Sequence, residues 1–373
     1  MHQQPDYATA RRDAGFSWSV QGTYLAYFKL ADVRLRDFFR KPEACVEAYR
    51  TGRFRARELF GDDIQYGSPS TPHISYAHVS AHGLPLVYPD EGEVAVVHAC
   101  ESLDDAIAMM RKPVDYGQAD VIRFYTAFRD TMQKAFPDEP IGLGLGCEGP
   151  VTTAYLLRGD AFFYDLYDRP EDTCELLRLS ADSAIAFYHY MAGLRKMPAV
   201  NPDSGFIADD IAAMIPPALW PEFVLPFTDR LFCGITTGRR NMHIEDLVAG
   251  HLPYLEALGL WSWDPSITPK LNPQTISAHC GIPFDWLLGP IHYPKLSSPS
   301  EAGDFLFQSA ADGATSVITH LESNLCDAIG ARSVRAFIDA GKEAKRLLDA
   351  GTPRTALANC VSPEGRLKFW RNW

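Results

Sequence analysis

No apolar run among the 373 residues approaches the ~20 that a membrane-spanning helix requires, so no transmembrane segment is expected. Clustered positive charge is also scarce. Lys and Arg total 35 against 47 Asp and Glu, a net charge of −12, and the basic runs at 239–240, 342–346 and 366–371 are short. Such a chain has too few grouped cations to displace counterions from a phosphate backbone, which argues against a nucleic-acid partner. The eight cysteines contain no C-x-x-C pair, and the charged, polar N-terminus does not resemble a signal peptide. Reduced thiols in a cytoplasmic protein are therefore the expectation. No fixed-period repeat, low-complexity tract or G-x-G-x-x-G turn occurs, which weakens a doubly wound dinucleotide-binding sheet.

What the chain does contain is material for a large core: 46% hydrophobic residues and 12% aromatics, with 22% charged. Residues 1–100 read as an N-terminal helical and loop cap, closing with the turn signals of YPDEGE. From there the pattern becomes regular. Helices are predicted at 102–110, 116–136, 150–157, 160–167, 170–194, 217–232, 252–258, 299–311 and 333–348. Strands are predicted at 140–146, 206–208, 241–244, 260–263, 282–288 and 315–320. Alternation of this kind predicts an α/β protein, a single (β/α)8 TIM barrel with an N-terminal helical extension, its core at 101–352 and a C-terminal tail at 353–373.

In such a barrel the chemistry collects at the carboxyl ends of the strands. Polar residues fall there: Glu148 after PIGLGLG, Asp209 and Asp210 after Phe206–Ile207–Ala208, His243 and Glu245 in NMHIE, Asp264 after LWSW, and His320 and Glu322 in THLE. His243 and Glu245 are two apart on a predicted strand, so their side chains share a face and can converge on one ion. Imidazole and carboxylate are both zinc ligands, and a catalytic zinc takes three protein ligands plus an exchangeable position. Glu322 supplies the third, with His320 and Cys326 as alternatives. Plainer roles exist for each residue. Glu245 could be an acidic first-turn residue, Asp209 and Asp210 could cap the next helix, Glu148 could be a turn residue, and Trp263 could be core.

Four stretches, GLGCEGPVTTAYLLRGDAFFYDLYDRPE, ADDIAAMIPPALWPEFVLPF, NMHIEDL and DGATSVITHLE, carry a resemblance. The chain resembles the uroporphyrinogen decarboxylase superfamily over about residues 35–350, within it the cobalamin-dependent methyltransferase branch. The decarboxylase proper fits less well, because its W-x-M-R-Q-A-G-R signature is missing. The branch implies a (β/α)8 barrel with a zinc motif H-x-C followed downstream by a second Cys. Here His243 matches the His, Glu245 stands at the first Cys position, and Glu322 falls near the second. Carboxylates in place of thiolates make a harder ion, suited to an ether or phenolic oxygen rather than a thiol.

The departure points toward members resembling O-demethylases with Glu/Glu/His zinc motifs, which makes Glu222 a rival ligand. The resemblance implies transfer of a methyl group from a methoxylated aromatic donor to the cobalt of a corrinoid protein, or from methyl-corrinoid to a carrier. Asp210, Glu148 and Asp264 would serve catalysis, and Asp209, Phe206 and Trp263 would contact substrate. Zinc is the expected metal. No D-x-H-x-x-G cobalamin-binding run is present, so the corrinoid is expected on a partner protein, and a homodimer is a further expectation. Two competing readings stand beside this one: a metal-free, uroporphyrinogen decarboxylase-like lyase using Asp210 and a histidine, and an inactive barrel that only binds a corrinoid complex.

Overall fold

The computed structural model describes residues 4–90, 92–266 and 268–369; the end of the basic run at 366–371 lies outside them. The chain divides into two compact units. The first comprises residues 1–4, 70–244 and 253–261, and the second residues 5–69, 245–252 and 262–373. Both are mixed α/β.

In the first unit, helix Pro170–Leu194 shows why its sequence folds as it does. Thr173, Leu176, Leu177, Ser180, Ala181, Ala184, Phe187 and Met191 are buried at three- and four-residue spacing, which lays one stripe against the core. Pro170 opens the helix at a position where the missing N–H costs nothing. Helix Leu103–Met110 starts with a reciprocal bond pair between Ser102 and Asp105. The region predicted as a single helix over 217–232 is interrupted, giving Trp220–Phe223 and Leu225–Ile235. Pro226 explains the break, because it has no N–H to donate to the carbonyl of residue 222.

Strands Ser204–Ala208 and Arg239–His243 pair in parallel, with Ala208 opposite His243, in a three-stranded sheet whose third strand begins at Leu260. In strand Arg239–His243, Arg240 is almost fully buried, its charge met by Asp229 at 2.6 Å and by the Leu258 carbonyl at 2.8 Å. The glycine-rich run at 140–146 forms only isolated bridges, Gly142 to Ser70 and Leu145 to Ile74, rather than the predicted continuous strand.

The second unit holds a four-stranded parallel sheet in the order Gln65–Tyr66, Ser17–Gly22, Ser316–Leu321, Asp285–Leu288. Strand Ser17–Gly22 lies in the segment read from sequence as helix and loop only. Helix Ala328–Asp349 is capped by the Asp327 carboxylate and runs so close to Trp18 that a Cβ at position 341 would sit 2.4 Å from the indole. Glycine is needed there for the close approach. Among the described residues the strands form these two parallel sheets and one antiparallel pair, Leu86–Val87 with Ala95–Val96. No ring of eight hydrogen-bonded strands is formed among them. Nor is any helix of the described residues long and apolar enough to cross a membrane.

Candidate active site

Register brings the candidate site together. Because Ala208 pairs with His243, two parallel strands run out at one level, and the Asp209 N–H continues the ladder to the His243 carbonyl at 3.2 Å. Glu148 is drawn in by its neighbour, since the Gly149 N–H donates to the Ala208 carbonyl at 2.6 Å. Three points of the chain thus meet at the strand ends, where backbone is free to carry polar side chains.

Along the second strand burial alternates: Arg240, Met242 and Ile244 face the core, while Asn241, His243 and Glu245 are half-buried on the other side. Asp210, the first residue of the turn Asp210–Met214, places its Oδ1 3.6 Å from His243 Nε2. Asp210, His243 and Glu245 each offer a ligand atom, and the three atoms lie within 4.8 Å of one another. Among the described residues this is the group of metal-ligating type. It contains Asp210, to which the sequence had given a catalytic role, and it does not contain Glu322.

Asp209 plays a different part. Fully buried, its carboxylate accepts from the N–H groups of Val151 at 3.3 Å and Thr152 at 2.7 Å, at the start of helix Pro150–Arg158. Two orphan donors of that helix are thereby satisfied. The fit is tight, because a Cβ at Gly149 would meet Asp209 Cγ at 2.4 Å. Burial raises the Asp209 carboxyl to about 7, the helix N–H groups pulling against it and the charge of Asp210 adding to it. The Glu148 carboxyl is pushed up to about 8, first by burial, then by repulsion from Asp210 and Asp209, with His243 opposing. Near neutral pH this group holds its proton.

A cavity of about 580 Å³ adjoins the cluster, its lining including Glu148, Asp210, His243, Phe206, Tyr188 and Arg195. Phe206 is half exposed into it (52%). The Tyr188 hydroxyl donates to the Phe206 carbonyl at 2.9 Å, which fastens the outer edge of strand Ser204–Ala208 to helix Pro170–Leu194. His73 also lines the cavity; its ring bonds Ser75 at 3.2 Å, and burial lowers its pKa.

The other sequence candidates lie elsewhere. Trp263 is 1% exposed and is a core residue, not part of this cavity's lining. Asp264 accepts from the Ser266 N–H at 2.8 Å, a local turn bond. Glu222 is exposed on Trp220–Phe223. Glu322 precedes the turn Ser323–Leu325, and His320 is on strand Ser316–Leu321. Cys326 donates to the Glu322 carbonyl at 3.4 Å, and burial raises its thiol to about 11, which disfavours the thiolate that a metal needs.

Sequence reasoning missed His73, Tyr188 and Arg195. Tyr188 and Arg195 belong to a helix or its end, where a polar residue is unremarkable, and only the fold brings them to the cavity.

Comparison with known proteins is sparse in sequence and clear in shape. No protein-family model matches the chain, and no curated protein matches it. A solved structure described as a methyltransferase from Methanosarcina mazei superposes with a TM-score of 0.63 at 16% identity, covering 90% of this chain and 97% of that one. The two share a fold.

Proposed function

We propose that the protein is a metal-dependent methyltransferase, built on the (β/α)8 scaffold that the sequence resemblance implies, acting on a methoxylated small molecule with a corrinoid protein as its partner. The observation that carries this reading is the convergence of one imidazole and two carboxylates at parallel strand ends beside a cavity of substrate size. The fold shared with a methyltransferase supports it.

The donor set fits zinc, because nitrogen and oxygen ligands of this kind in threes leave one position exchangeable. Asp210, His243 and Glu245 would hold the ion, and when bound it would supply Lewis-acid polarisation of the donor oxygen, worth several kcal/mol. Around it the chain's own groups have separate tasks. Phe206 and Met191 give the donor an apolar wall that excludes water. Glu148, protonated up to about pH 8, stands ready to pass its proton to a leaving oxygen. Asp209, locked into the helix start, fixes the backbone on which Asp210 is carried.

The test is elemental analysis of the purified protein joined to methyl transfer from methoxybenzenes to cob(I)alamin. One zinc per chain and turnover that both vanish in His243→Ala, in a protein that still folds, are the expected results; undiminished transfer in that variant refutes the reading. The same acid cluster would serve a metal-free lyase, since Glu148 is a carboxylic acid held neutral near pH 7. Turnover with no metal bound would favour that alternative.

A further inference from the structure

Charge is distributed unevenly around the cavity. Glu148, Asp210 and His243 stand where the strands end, and Arg195 is the sole Lys or Arg in the lining. Arg195 follows helix Pro170–Leu194 as its C-terminal cap. Other arginines on or beside this helix are matched by carboxylates: Arg169 by Asp104 and Asp172, Arg178 by Glu175 and Asp182. Arg195 has no such partner among the described residues, and its guanidinium makes one long bond, 3.5 Å, to the Leu143 carbonyl. A helix C-terminus accounts for a cation at this position. It does not account for the cation lining a cavity with its donors uncommitted.

Leu143 and Glu148 are separated along a segment that spans at most about 17 Å when extended. The lining also carries apolar side chains, Leu145, Met191, Met197 and Phe206, among polar ones such as Asn201 and Ser204. A ligand that filled this space would have a reacting group at the acidic end, a hydrophobic middle and a negative group at the far end.

We propose that Arg195 is a specificity-determining residue that selects methylated organic acids by pairing with a carboxylate remote from the reacting methyl group. The planar guanidinium matches a carboxylate in two parallel hydrogen bonds. The nature of the reacting group rests on the methyl-transfer reading above, whereas the anion site rests on the cavity alone.

The experiment measures binding by calorimetry on the full chain, without turnover, using 3-(4-methoxyphenyl)propanoate and its neutral amide. The wild type is expected to bind the acid about tenfold more tightly than the amide, a preference of the size one charge-assisted contact provides. Arg195→Gln should equalise the two ligands, and Arg195→Lys should restore part of the difference. Circular dichroism of each variant should be unchanged, since the side chain is exposed. Equal affinities in the wild type, no saturable binding of the acid, or a preference that survives Arg195→Gln each overturn the proposal. Methyl transfer by the wild type is assayed separately with a panel of neutral and acidic methoxybenzenes. Absence of transfer from every donor, together with an Arg195-dependent preference for the acid, would remove the methyltransferase reading and leave the anion site standing. Transfer without any charge preference would do the reverse.

Discussion

Replacing Asp209 with alanine would remove the group that ties the site to the helix beside it. In the native protein its two oxygens receive the N–H groups of Val151 and Thr152, and both of those residues are buried. Alanine offers no acceptor to either donor. Each unsatisfied buried donor costs about 1–3 kcal/mol, and loss of a helix cap by itself typically costs about 1 kcal/mol. The expected destabilisation is therefore about 3 kcal/mol. Urea titration of the metal-free protein at about pH 4, close to the unfolded-state value of 3.8 so that little stability is lost to protonating the folded state, gives the quantity if the slope m is unchanged. A loss below about 0.5 kcal/mol, within the range of ordinary surface substitutions, would refute the claim that this carboxyl holds the start of helix Pro150–Arg158.

The remaining expectations follow from the same site. Burial raises Asp209 from 3.8 to about 7, so between these values the folded protein keeps a proton that the unfolded chain has released. Stability of the metal-free protein should then fall as pH rises through that window, and Asp209→Asn, which cannot ionise, should gain on wild type in urea midpoint from pH 4 to pH 8. Gly149→Ala puts a methyl 2.4 Å from Asp209 Cγ and should cost about 1–3 kcal/mol by overpacking. That cost should shrink in the Asp209→Ala background, where the space is free, and a double-mutant cycle of thermal melts measures the coupling. Zinc at a hundred times its dissociation constant should stabilise the wild type by about 2.7 kcal/mol. No such gain is expected in His243→Ala, as shown by paired denaturation curves with and without the metal.

Local pattern carried much of the architecture. Helix Pro170–Leu194 announces itself through its proline start and periodic apolar stripe, and helix Leu103–Met110 through its Ser and Asp cap. Strand Ser17–Gly22 was illegible, because a six-residue SWSVQG segment has burial imposed by its partner Ser316–Leu321 rather than by its own periodicity. The run at 140–146 misled in the opposite sense. Its apolar character suggested a strand, but its alternating glycines leave little side chain to pack, and it makes isolated bridges only.

At the site, the sequence by itself determined that His243 and Glu245 share a face and that Glu148, Asp209 and Asp210 follow apolar segments, since both are consequences of two-residue strand geometry and of where polarity begins. Only the tertiary structure decided which of them meet. The pairing of Ala208 with His243 puts Asp210 beside the imidazole, and the helix at Pro150 claims Asp209 for its own N–H groups. Arg195 and Tyr188 reach the cavity from helix Pro170–Leu194, whose Tyr188 hydroxyl bonds the carbonyl of Phe206 on a strand that begins ten residues after the helix ends. Such convergence depends on register and packing between segments far apart in the chain, and no local pattern of residues encodes it.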